Sequence, residues 1–126
     1  MHFHLSAILI ALLLLSLSPT VRAQGSEAPA MECSAGPLVR MFGGTPWNVY
    51  SCADGVSVVV VTTEGNPAAP FYFFVFKRDE TYVVYGEGTG AKSITDLAYN
   101  ELIKLGASEV ASLISTAKRI PAASNK

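Results

Sequence analysis

Cys33 and Cys52 are the only cysteines in the chain. Three chemistries are open to such a pair: a structural disulfide, a reactive thiol, or half of a metal site. The metal reading lacks partners, because the two histidines are His2 and His4, inside a segment that reads as a cleavable leader. An even cysteine count behind an export signal therefore points to a Cys33–Cys52 bridge. Closing a loop of about 20 residues contributes roughly 3 kcal/mol.

Without histidine downstream of residue 4, Ser–His–Asp and Cys–His catalysis lose their imidazole. Zinc and most copper or iron sites lose their usual ligand. Carboxylate chemistry, Ser–Lys chemistry and catalysis by a bound cofactor remain. A carboxylate pair could come from Asp54, Glu64, Asp79, Glu80, Glu87, Asp96, Glu101 and Glu109. Most fall in expected turns or on helix exteriors, where a carboxylate is simply solvated. No catalytic residue, metal site or cofactor is expected.

Gly86-x-Gly88-x-x-Ala91 matches a dinucleotide-binding string and lies between an expected strand and an expected helix. A Rossmann unit then needs a parallel strand carrying an acidic residue about 20 positions on. Here a second helical stripe follows, and Glu87 would repel a phosphate. The favoured reading is a tight strand-to-helix turn. Gly86, Gly88 and Gly90 stay as a weak anion-site candidate, resting on backbone N–H groups near a helix start.

The aromatic residues give the main positive signal. Strand alternation sets Tyr72, Phe74 and Phe76 on one face and Phe71, Phe73 and Val75 on the other. Both sets are apolar, whereas a sheet with one wetted face alternates apolar with polar. Either the second face is closed over by the N-terminal strand, the loop prolines and Trp47, or one aromatic set is exposed for contact. Trp47 and Tyr85 border either set. The candidate face is therefore Tyr72, Phe74 and Phe76 with Trp47 and Tyr85. Periodicity alone does not choose between the two sets.

The elements that must carry these residues follow from the pattern. Apolar runs at Leu38 to Phe42, Trp47 to Cys52, Val56 to Thr63, Phe71 to Phe76 and Thr81 to Tyr85 read as strands. Gly43-Gly44, Asp54-Gly55 and Lys77-Arg78-Asp79-Glu80 read as turns, Asp54-Gly55 as a two-residue hairpin. Short links favour an antiparallel meander. Then the period becomes helical. Ile94, Leu97, Ala98, Leu102 and Leu105 form one stripe, and Val110, Leu113, Ile114 and Ala117 a second. Leu97, Leu102, Leu113 and Ile114 are expected to face the sheet. Ser93 to Asp96 resembles a capping box. Gly106 suits the position after the first helix, and Ser108 suits the second N-cap. Pro121 ends the second helix. The fold expected is α+β: four or five antiparallel strands, then an αα-hairpin on one sheet face.

Residues 1–23 read as a signal peptide. Leu5 to Leu17 is apolar but too short to span a bilayer, Ser18-Pro19 break it, and Val21-Arg22-Ala23 presents a cleavage site. Residues 24–32 read as a flexible leader, 33–121 as one domain and 122–126 as a frayed tail. Cleavage leaves eight basic and ten acidic residues. No basic cluster exceeds the pairs Lys77-Arg78 and Lys118-Arg119, so nucleic-acid binding is not expected. No second long apolar run follows, so membrane residence after cleavage is not expected either. The compartment implied is periplasmic or extracellular.

Tyr50-Ser51-Cys52-Ala53-Asp54-Gly55, followed by a valine-rich run, resembles the opening strand of secreted bacterial lysozyme inhibitors of the membrane-bound and periplasmic C-type group. That group shows an aromatic-x-Cys before a hairpin. The resemblance covers about a dozen positions. It implies a β-barrel, an inhibitory role and a bridge from this cysteine to the C-terminal end. This chain places its other cysteine upstream and ends in helical stripes, so no residue role is carried over.

The function expected is non-catalytic, binding or accessory work through protein–protein contact with another protein or a second copy. The alternatives are an inhibitor of a secreted enzyme, a small-ligand binder and, last, a carboxylate-based enzyme.

Overall fold

The computed structural model describes residues 31–121. The expected signal peptide, most of the leader and the tail lie outside the described residues. The chain runs β1 (Cys33–Phe42), β2 (Thr45–Cys52), β3 (Val58–Thr62), β4 (Phe71–Arg78), β5 (Thr81–Gly88), α1 (Lys92–Leu102) and α2 (Ala107–Arg119). The strands form one sheet in the order β1-β2-β3-β4-β5, each antiparallel to its neighbour. The two helices pack on the sheet, which makes the domain α+β. Tight links enforce the meander. Gly43 and Gly44, at φ 61° and 81°, give the positive-φ pair that matches the twist of a two-residue hairpin. Asp79 takes φ 54° in the β4–β5 turn, a conformation aspartate tolerates.

The strand ends differ from the sequence reading. β1 begins at Cys33 rather than Leu38, because two register shifts, between Cys33 and Ala35 and between Ala35 and Leu38, break its alternation. Bulges of this kind hide a strand from a period-2 search. Asp54-Gly55 is not a two-residue hairpin. The β2–β3 link spans residues 53–57, and β3 starts at Val58 rather than Val56. Asp54 organises the link. Its Oδ1 accepts from the Val56 and Ser57 N–H groups at 3.0 and 2.9 Å, and its Oδ2 from the Ser57 hydroxyl at 2.6 Å. The β3–β4 loop is pinned by buried Asn66, whose Nδ2 donates to the Pro46 carbonyl at 2.6 Å and whose Oδ1 accepts from Ala68 N–H at 2.8 Å.

The core lies between the helices and one sheet face. Trp47, Val49, Val58, Val60, Phe73 and Val75 meet Ala98, Leu102, Val110, Leu113 and Ile114. α2 lies mainly over β1 and β2, while α1 touches β1 and β5. The second helical stripe is as expected, with Val110, Leu113, Ile114 and Ala117 buried. The first stripe is as expected except at one position: Ala98 and Leu102 are buried with Thr95, Ile94 and Leu105 pack against the core, and Leu97 is 54% exposed. The cause is close approach. A Cβ on Gly43 would stand 2.5 Å from Ala98 N and 2.9 Å from Leu97 Cβ. The β1–β2 turn therefore occupies the space beside Leu97 and turns that side chain outward.

The caps also differ. Ala91 precedes α1 with no side-chain cap, and Asp96 instead pairs with Lys92 at 2.9 Å. Gly106 is the N-cap of α2 rather than a terminator of α1, and its N–H donates to Glu109 Oε2 at 3.0 Å. Ser108 falls within the first turn of α2. The helix ends at Arg119, just before Pro121.

Candidate contact surface

Strand register decides the question that periodicity leaves open. Val60 pairs with Phe73, and Val58 with Val75; all four are buried against the helices. The alternate residues lie on the opposite face. Val39, Asn48, Val61, Tyr72 and Glu87 form an unbroken cross-strand row from β1 to β5. Tyr50, Val59, Phe74 and Tyr85 form the next, and Phe76 pairs with Val83 beyond it. Met41, opposite Pro46, shares the face. Among the described residues no helix or strand packs over these rows. Val39 is 56% exposed, Met41 59%, Tyr85 52% and Tyr72 37%. Phe74, Phe76, Val59, Val61 and Val83 are half-buried by one another.

The side chains on this face are mutually ordered. The Phe74 and Phe76 rings stack with centroids 5.0 Å apart and planes 21° apart. The Arg78 guanidinium lies 5.7 Å from the Phe76 ring centroid, within cation–π range. At the other end of β4, Tyr72 and Tyr85 both donate O–H groups to Glu87 Oε2, at 2.9 and 3.3 Å. That carboxylate bond, with lesser contributions from desolvation and nearby negative charge, holds the Tyr72 phenol above its ordinary value.

Of the residues expected on the candidate face, the structure brings Tyr72, Phe74, Phe76 and Tyr85 together. Trp47 does not join them. It is fully buried on the helix side, its ring 5.2 Å from that of Phe73, with its indole N–H donated to the Phe42 carbonyl at 3.0 Å. Trp47 and Tyr72 lie on opposite faces because their strand positions differ in parity. Sequence reasoning missed Val39, Met41, Val59, Val61, Arg78 and Glu87. The shared parity of Tyr72, Phe74, Phe76 and Arg78 was the signal that could have found part of this set.

The glycine cluster is structural. Gly86 and Gly88 lie within β5, opposite Phe73 and Phe71. A Cβ on Gly86 would stand 2.9 Å from both phenylalanine rings, and one on Gly88 would strike the Pro70 carbonyl. Gly90 sits against the Ala68 carbonyl in the same way. The N–H groups of Thr89 and Gly90 both donate to Pro70 O, at 3.0 and 3.1 Å. These donors are already engaged, so the anion-site reading has no free N–H groups at these two positions.

The bridge between Cys33 and Cys52 is present, and it joins directly paired residues at the open end of the β1–β2 hairpin. Ser51, beside it, is buried with no hydrogen-bond partner for its hydroxyl. It lines a hollow of about 150 Å³ with Glu32 and Lys118. Its Oγ is closed off from solvent, and Lys118 helps to hold down the Asp54 carboxyl, so no Ser–Lys pair is formed. Partial burial pushes Asp54 up, but the Ser57 hydroxyl, the two turn N–H groups and Lys118 outweigh it and hold it below its ordinary value. Among the described residues no group of three His, Cys, Asp or Glu could hold a metal ion. A larger hollow of about 480 Å³ opens at the edge of the aromatic face, where Phe71, Tyr72, Glu87 and Thr89 line it.

Fold and surface together define an α+β domain with one sheet face under helices and the other apolar and open. The open sheet order and the helical C-terminus differ from the barrel that the lysozyme-inhibitor resemblance implies, and the bridge runs upstream rather than to the C-terminal end. No known family, curated protein or solved structure matches the chain.

Proposed function

We propose that this chain is an exported, non-catalytic domain that works by protein–protein contact through the helix-free sheet face. The observation that carries this reading is the row structure of that face: large apolar side chains across all five strands, with nothing among the described residues over them. Single exposed apolar residues are ordinary, but a contiguous apolar sheet face is a recurrent mark of an interaction site. Removing one phenylalanine from water contributes roughly 2–3 kcal/mol, so a partner covering Phe74, Phe76 and Tyr85 gains substantial free energy.

Export is supported by the leader pattern in the sequence and by the disulfide, which persists in oxidising compartments. The described helices include none long and apolar enough to cross a membrane. The test is hydroxyl-radical footprinting of the chain in the cells that make it, against the purified chain at high dilution. Protection of Phe74, Phe76 and Tyr85 in the cell, with Leu97 unchanged, is the expected result. Equal labelling in both settings would refute contact through this face.

A second reading, a small-ligand binder, is favoured by the 480 Å³ hollow beside Tyr72 and Glu87. Its volume lies in the ordinary range for ligand sites. It predicts protection confined to Phe71 and Tyr72.

A further inference from the structure

We infer that the partner for the open face is a second copy of this chain, stacked sheet to sheet about a two-fold axis that runs across the strands. This rests on reading the face as a contact surface and adds the identity of the occupant. The charge pattern of the face carries the inference. On this face β4 presents Tyr72, Phe74, Phe76 and Arg78, and β5 presents Thr81, Val83, Tyr85 and Glu87. Arg78 and Glu87 are the only charged residues that the five strands place on it. They sit at opposite ends of the β4–β5 pair, since Glu87 is opposite Tyr72 and Arg78 opposite Thr81. At a strand rise of about 3.3 Å per residue they are roughly 20 Å apart.

Both charges are held over the face rather than free to swing away. Arg78 lies against the Phe76 ring, and Glu87 receives two tyrosine hydroxyls. A two-fold axis across the strands, midway between these ends, reverses the strand direction of the second copy. It sets Arg78 over Tyr72 of the partner subunit, one strand spacing of about 4.8 Å from the partner's Glu87, and by symmetry forms the reciprocal pair. The same operation lays the Phe74–Phe76 stack on its own counterpart, in an isologous contact. Sheets stack about 10 Å apart, a gap that the arginine and glutamate side chains bridge. A two-fold axis along the strands would instead lay β4 and β5 on the uncharged β1 and β2 rows and leave both charges unpaired.

The area sets the strength. Four strand spacings of about 4.8 Å by roughly 20 Å give a footprint of about 400 Å² per copy, near half that of a standard-size interface. A footprint of this size belongs to weak, transient pairs, so the dimer is reversible and depends on concentration.

Sedimentation equilibrium of the exported chain, purified after leader cleavage with its disulfide intact, tests this. The expected result is a monomer–dimer equilibrium that shifts to dimer below about 1 mM. Arg78→Glu and Glu87→Arg should each weaken it about tenfold or more, and the two together should restore it to within about threefold. The unmodified chain remaining monomeric up to about 1 mM would overturn the inference, whatever the variants do. So would a dimer that is indifferent to both reversals or not rescued by the double change. A monomer whose sheet face is nonetheless protected in the cell would overturn self-pairing and leave the contact reading standing.

Discussion

At the scale of the residue, four of the candidate carboxylates, Asp54, Glu87, Asp96 and Glu109, are engaged in local structure. Asp54 shows this best: a candidate carboxylate by type, it spends its oxygens on three donors of the β2–β3 link. A carboxyl held low in the fold adds stability that is present above its ordinary value of 3.8 and is lost as pH falls through the lower folded value. Asp54→Asn should cost about 1 kcal/mol at neutral pH, a modest figure because the group is largely exposed. It should also flatten the acid limb of stability below that ordinary value. Urea unfolding at neutral and acid pH checks both, and an unchanged acid limb would mean that Asp54 is not held low. Glu87 acts on Tyr72 in the opposite sense, keeping its phenol protonated above the ordinary 10.0. Glu87→Gln keeps an acceptor but removes the charge, so one tyrosine midpoint should move down in an absorbance titration. If no midpoint moves, the Tyr72–Glu87 contact is absent in solution. Cys33 and Cys52 were legible because parity and compartment leave a cysteine pair few options. The glycines were legible as structural despite a string that resembles a phosphate loop, but they lie within β5 rather than in a turn, where Gly86 makes room for the Phe71 and Phe73 rings.

At the scale of the element, the meander and the αα-hairpin were legible from period and turn chemistry, because short links leave consecutive strands little choice but to pair. The failures are local and share a physical form: a contact distant in sequence overrode a local pattern. β1 is longer than its alternation suggests, since bulges shift its register against β2. α1 keeps its stripe but leaves Leu97 outside it, where the Gly43 turn closes on the helix backbone at Leu97 and Ala98. The difference separates two leucines that the sequence treats alike. Leu113→Ala should destabilise by about 2–5 kcal/mol, as expected for a buried leucine. Leu97→Ala should change stability by less than about 1 kcal/mol. Denaturant unfolding of the two variants makes the comparison, and equal losses would place Leu97 back in the core.

At the scale of the whole molecule, the helices cover one sheet face and the disulfide ties the first strand to the second. The bridge closes the long arm of the β1–β2 hairpin at an edge of the sheet, where strand β1 has a neighbour on one side only. Cys33→Ser with Cys52→Ser should lower stability by about 2–4 kcal/mol, read from the denaturant midpoint. A loss below about 0.5 kcal/mol would mean that the hairpin holds without it. The presence of two apolar faces was legible in the sequence, but which one the helices take was not. Alternation fixes that residues 72, 74 and 76 share a face; only the packing of Leu102, Val110 and Leu113 against Phe73 and its neighbours says which face is left open. That open face is the central claim, and site-specific photo-crosslinking in the producing cell tests it most directly. A photoreactive side chain at Phe74 should give a discrete covalent adduct, whether to a second copy or to another protein, while the same group at exposed Ser112 on α2 should give none. No adduct from position 74, or equal adducts from both positions, would contradict the account.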